Sequence, residues 1–183
     1  METGKGPVVI ELQLEKAGQL FETFDPMPFR EKDLDREAED YIVSWARELP
    51  RQAPIHIRVH LPEAELASEQ AKMLPQALGR YFNYRAEAVG RDLAELFRIG
   101  RLSLLVGLIV LGLCVSGARM AVGRGGQIGD LLREGLILLG WVANWRPIEI
   151  FLYEWWPIVR HRNLLRRLSQ AKISVVAGPA GQG

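Results

Sequence analysis

Across residues 8–15 apolar and polar positions alternate strictly, with Val8, Ile10, Leu12 and Leu14 on one face and Glu11, Gln13 and Glu15 on the other. A period of two marks a strand buried on one side. Ile55–Leu61 repeats the pattern, with Ile55, Ile57, Val59 and Leu61 inward and His56, Arg58 and His60 outward. Between them the period lengthens: Ala38, Tyr41, Ile42, Trp45, Ala46 and Leu49 recur at helical spacing over residues 35–49. Asp33, Asp35, Glu37 and Glu39 load the start of this helix with the negative charge its dipole favours. Strand, helix, strand predicts a right-handed crossover between parallel strands.

Pro62, Glu63 and Glu65 read as a second helix start. The stripe beyond it, Leu66, Met73, Leu74, Leu78, Tyr81, Phe82, Val89, Leu93, Leu96 and Phe97, predicts one long helix, kinked at Pro75 and weakened at Gly79 and Gly90. It leads into residues 102–118, which carry no charge, and residues 120–122 extend the apolar run past Arg119. At about 1.5 Å of rise per residue, a helix of some 21 residues spans roughly 30 Å, the depth of a hydrocarbon core. A chain this short could hardly wrap a helix that is apolar on every face. The amino-terminal residues have no basic region leading into a long apolar core, so no signal peptide is expected.

A second span is expected over residues 135–159, mostly apolar yet containing Arg146, Glu149 and Glu154. Each such charge at mid-bilayer costs about 2.5–3.5 kcal/mol, so this stretch should insert against the first span as the second leg of a hairpin. Residues 117–134 supply the connection, with Gly123, Gly125, Gly126 and Gly129 at its tip. The pairs Ser103 with Gly107 and Gly112 with Ser116 offer small-residue packing faces, and Trp145, Trp155 and Trp156 suit a membrane interface. From about Arg146 onward the second leg either spans or lies along the surface. Leu164, Leu165 and Leu168 continue a helical stripe, and Lys172–Ala177 reads as a short strand that would complete the first sheet.

Three stretches result: a small α/β (or α+β) domain at 1–98 with a three-stranded sheet, a transmembrane hairpin at 99–160 with spans near 102–122 and 135–159, and a basic helix end, strand and tail at 161–183. Charge supports the division. Residues 1–98 hold 13 Lys/Arg against 18 Asp/Glu, while residues 99–183 hold 10 against 4. Arg85, Arg91, Arg98 and Arg101 precede the first span, and Arg160, Arg162, Arg166, Arg167 and Lys172 follow the second, against Arg119, Arg124 and Arg133 in the loop. The positive-inside rule then places both termini in the cytoplasm. With 48% hydrophobic and 25% charged residues and a single cysteine, the chain is neither disordered nor stapled by internal disulfides.

The blocks FDPMPFREKDLDREAEDYIVSWARELP, residues 24–50, and GWVANWRPIEIFLYEWWPI, residues 140–158, resemble those of a family of small uncharacterised bacterial membrane proteins. The resemblance covers about a quarter of the chain and implies a bacterial inner-membrane protein of this layout, with no activity attached and no functional residue to carry over.

Candidate chemistry centres on Arg146, Glu149 and Tyr153: three residues apart on a helix, Arg146 and Glu149 can pair, and Tyr153 follows one turn later. They read either as an internal ion pair fixing helix depth or as an ion path, a headgroup site or a subunit contact. Arg160, His161 and Arg162 form a basic cluster suited to lipid headgroups. His56 and His60 sit about 13 Å apart along a strand, too far for one metal ion. GRGGQIG at 123–129 lacks the strand and Gly-Lys-Ser/Thr of a phosphate loop, and Cys114 reads as a packing residue. Glu37, Glu39 and Asp40 read as a helix start and solvent face. No cofactor and no nucleic acid are expected; the expected partners are membrane lipids and either further copies of the chain or another membrane protein. The leading expectation is a non-enzymatic scaffold or accessory subunit, then an oligomeric channel or transporter component, then a lipid-binding or lipid-modifying enzyme.

Overall fold

The computed structural model describes residues 8–22, 32–50, 53–122 and 126–178. The chain forms two compact units, one of residues 1–88 with 161–183 and one of residues 89–160.

In the first unit β1 (Val8–Gln13), β2 (Ile55–Leu61) and β3 (Lys172–Ala177) make a parallel sheet in the order β1-β2-β3. Ile10 registers with Ile57, and Ile57 with Ile173, so the inward positions line up across all three strands. The two-residue period of β2 is realised in full: every odd-numbered side chain from Ile55 to Leu61 is buried and every even one half-buried. On the half-buried face Arg58 donates to Glu11 across the ladder at 3.0 Å. The helix α1 (Arg36–Glu48) is capped by Asp35, whose carboxylate accepts from the Glu37 and Ala38 amides. It turns Ile42, Val43 and Ala46 into the core, and Leu74, Leu78, Phe82, Leu165 and Leu168 are buried as well. Tyr41 and Trp45, expected inside, are 45% and 47% exposed, and their rings pair on the surface at 6.2 Å. The helix is rotated so that the smaller Val43 is buried in their place.

The helix expected from Pro62 is two helices. The short α2 (Glu63–Leu66) ends at Ala67, and Ser68 begins α3 (Glu69–Val122) by accepting the Ala71 amide on its hydroxyl. A serine offers the backbone this local alternative to continued helix. Helix α3 is continuous through Pro75, Gly79 and Gly90 to the end of the first apolar run. Helix α4 (Gln127–Ala143) begins directly after Gly126, whose φ of 99° is open to glycine but strained for other residues. The connection is thus far shorter than residues 117–134: Gly129 is helical and buried, and Gly123 and Gly125 lie outside the described residues. The second leg is segmented into α4, α5 (Trp145–Glu149), a π-helical turn (Ile150–Glu154) and α6 (Trp155–Ser169). Both long helical stretches, residues 69–120 and 127–169, are long and apolar enough to cross a membrane.

Candidate functional site

The legs of the second unit meet along a seam of small residues. Leu93, Gly100, Gly107 and Cys114 are buried at intervals of seven, the repeat that keeps one helix face turned to its neighbour. Opposite them lie Gly140, Asn144, Pro147 and Ile150. A β-carbon on Gly107 would come within 2.7 Å of Asn144 Oδ1 and 3.0 Å of the Ala143 carbonyl, and one on Gly140 within 2.7 Å of Leu111 Cδ1. Only glycine permits so close an approach. Asn144 is 7% exposed, the one buried polar residue among those described. Its Nδ2 donates to the Gly107 carbonyl at 3.1 Å and the Gly140 carbonyl at 2.9 Å, tying the legs together. Pro147 explains why this residue sits at a break: it has no N–H to offer the carbonyl of Ala143, and the Asn144 amide closes a tighter turn onto Trp141. Of the expected small-residue pairs, Ser103–Gly107 therefore enters the seam through Gly107. A β-carbon on Gly112 would meet nothing within 4 Å, and Ser116 donates to the Gly112 carbonyl within its own helix.

The charges of the second leg form a triad. Arg146 Nη1 donates to Glu149 Oε2 at 3.1 Å and to Glu154 Oε1, and Nη2 lies 3.4 Å from Glu154 Oε2. In a regular α-helix, residues eight apart differ by about 80° around the axis. The π-helical turn absorbs one extra residue, which returns Glu154 to the face of Arg146. Sequence spacing alone finds the Arg146–Glu149 pair and misses Glu154, because the phase shift is invisible in it. Tyr153 is 69% exposed and makes no hydrogen bond to the triad among the described residues. Beside the triad Phe97 stacks on Phe151 at 6.1 Å and meets Trp155 at 6.5 Å, and Trp155 contacts Trp156.

The basic cluster of 160–162 has three separate surroundings. Arg160 lies over the Trp156 ring at 5.7 Å, a cation–π contact. Arg162 has its Nε buried without a hydrogen-bond partner among the described residues. His161 lines an open cavity of about 590 Å³ in the first unit, together with Asp33, Glu39, Arg47, Tyr81 and Arg85.

The anchor of that cavity is Glu39, which belongs to the interior and not to the solvent face expected of it: its side chain is 13% exposed. Tyr81 donates its hydroxyl to Oε2 at 2.7 Å and Arg85 its Nε to Oε1 at 3.0 Å. Burial, then the hydrogen bond to Glu39 and its negative charge, push the Tyr81 phenol well above its ordinary range. For Arg85, burial works against the charge, but the Glu39 hydrogen bond and charge outweigh it and hold the guanidinium above its usual value. Burial, then the positive charges of Arg47 and Arg85, hold His161 below its ordinary 6.5, with Glu39 pulling the other way. Partners 42 and 46 positions away make Glu39 a residue that local pattern cannot single out.

Among the described residues no group of three or more His, Cys, Asp and Glu could hold a metal ion. Cys114 is a free thiol buried in the seam. No protein-family model, curated protein or solved structure matches the chain.

Proposed function

We propose that this chain is an integral protein of the bacterial inner membrane, a two-helix hairpin carrying a small cytoplasmic domain, and that it serves as a scaffold or accessory subunit of a membrane assembly. The observation that carries the reading is the outward face of the second unit. Leu102, Leu105, Leu108, Ile109, Leu113, Leu131, Leu138, Trp141 and Val142 are all exposed, far more contiguous apolar surface than water tolerates, while polar Asn144 and Gly100, Gly107 and Gly140 are turned inward. A hairpin whose legs are tied by the Asn144 side chain donating to the Gly107 carbonyl, and whose surface is lipid-like, is built to sit in a bilayer. The chain leaves the first unit at residue 88 and re-enters it at residue 161, which supports termini on one side, in line with the excess of arginine flanking the two spans. The resemblance of residues 24–50 and 140–158 to small bacterial membrane proteins points the same way.

A scaffold is favoured over a reaction centre because the best-placed polar groups are consumed by packing. Asn144 is spent on two carbonyls, Glu39 on Tyr81 and Arg85, and Arg146 on two carboxylates of its own helix.

Membranes washed in alkaline carbonate should retain the chain. Gentle detergent extraction followed by native mass determination should then return it as part of an assembly. Release by the wash would end the membrane reading, and a lone monomer would end the scaffold reading. Ion flux in liposomes that Glu149→Gln abolishes would move the channel reading ahead.

A further inference from the structure

Two carboxylates share one guanidinium in the Arg146–Glu149–Glu154 triad, which leaves one negative charge unmatched. The triad is partly exposed among the exposed apolar side chains of Ile148, Phe151, Leu152, Tyr153 and Trp156, and its unmatched charge calls for a counter-charge. The level at which that counter-charge must lie is fixed by the seam. Gly100 packs against Ile150 and Phe151, and Phe97 against Phe151 and Trp155, so residues 97–101 of α3 stand at the level of Glu149 to Trp155.

Two arginines occupy that level, Arg98 and Arg101. Both are exposed, and neither has an ion pair or hydrogen bond among the described residues. Neither reaches the triad of its own chain, although both stand at its height. The hairpin thus presents a negative patch on one leg and a positive patch on the other, matched in depth and not paired with each other.

We propose that a second copy of this chain docks here, Arg98 and Arg101 of one copy against Glu149 and Glu154 of the next. Copies inserted in the same direction are related by rotation about the membrane normal, which preserves depth, so patches level within one chain are level between neighbours. A symmetric contact of triad with triad would oppose like charges. The contact therefore pairs unlike patches, the arginines of one copy with the carboxylates of the other. The proposal rests on the membrane reading above and names the partner in the assembly.

The test uses the full-length chain in lipid nanodiscs, after alkaline washing has shown it to be integral; release during the wash defeats the membrane reading itself and is distinguishable from a failure of the copies to dock. Native mass should show an oligomer for the unaltered chain and a monomer for Arg98→Gln with Arg101→Gln, positions with no partner in their own chain and so little reason to unfold it. In a Cys114→Ala background, co-expressed Arg101→Cys and Glu154→Cys chains should form a disulfide-linked heterodimer on mild oxidation. A monomeric integral protein, an oligomer indifferent to the two arginines, an Arg101→Cys chain that links only to itself, or an assembly containing one copy and a different protein would each overturn the proposal.

Discussion

Glu39 holds together two helices that no local pattern connects. Replacing it by Gln keeps the shape but removes the charge that Arg85 and Tyr81 meet, and the loss should cost about 1–2 kcal/mol in denaturant unfolding, toward the lower end because Arg85 is partly exposed. Tyr81 supplies a spectroscopic check. With its pKa raised on folding, the phenol stabilises the folded chain throughout the range below 10.0, and the contribution drains away as pH climbs beyond that toward the folded value. Tyr81→Phe should accordingly delete the most alkaline step of the phenol titration; a titration that keeps this step would show that the phenol is not held by Glu39. His161 acts on the acid side. Its folded pKa is depressed, so the unfolded chain takes up a proton first, and stability is complete above 6.5 and lost as pH falls through the folded value. A His161→Phe chain should show a flatter fall in unfolding midpoint over this window than the unaltered chain, and equal slopes would remove His161 from the account.

At the scale of elements the decisive contrast is between two glycines of one helix. Gly107→Ala pushes a methyl into Asn144 and the Ala143 carbonyl, and backbone cannot retreat as a flexible side chain can; the hairpin should lose about 1–3 kcal/mol. Gly112→Ala meets open space and should be neutral or gain up to about 1 kcal/mol from helix propensity. Thermal unfolding in detergent, with helicity as the signal, separates the two; equal shifts would mean that the seam does not govern stability. Both glycines look alike in the sequence, as members of small-residue pairs. What sequence shows well is whatever the backbone period controls: β2 falls where the alternation puts it, β3 where the short run at 172–177 reads as a strand, β1 ends two residues before its alternation does, and α1 starts at its acidic cap. What it hides depends on rotation about an axis. The turn that buries Val43 in place of Tyr41 and Trp45 and the π-helical step that brings Glu154 to Arg146 both change phase without changing composition. Asn144, between Ala143 and Trp145, gives no signal in the sequence because its partners, two carbonyls bared by glycines, belong to the packed hairpin.

For the molecule as a whole, the first unit is assembled from both ends of the chain. The central strand β2 pairs with β1 on one side and β3 on the other, and the core takes Leu164, Leu165 and Leu168 from beyond the hairpin. Arg167 adds donors to the carbonyls of Pro50 and Ala53 at 3.0 and 2.9 Å. A chain ending at Arg160 lacks all of these and should fail to give a cooperative unfolding transition for residues 1–88; a sharp transition in that truncated chain would show that the amino-terminal part folds alone. This dependence sets an order on biosynthesis. As the ribosome releases the chain from its amino end, β2 waits with one edge unpaired while residues 89–160 are made, and β3 emerges only after them. On the membrane reading, β3 reaches β2 only when both legs have crossed, since a single crossing would strand it on the far side. On that reading, closing the sheet doubles as a proofreading step on insertion: a misinserted chain keeps an open strand edge, the kind of surface by which quality-control machinery recognises what to destroy.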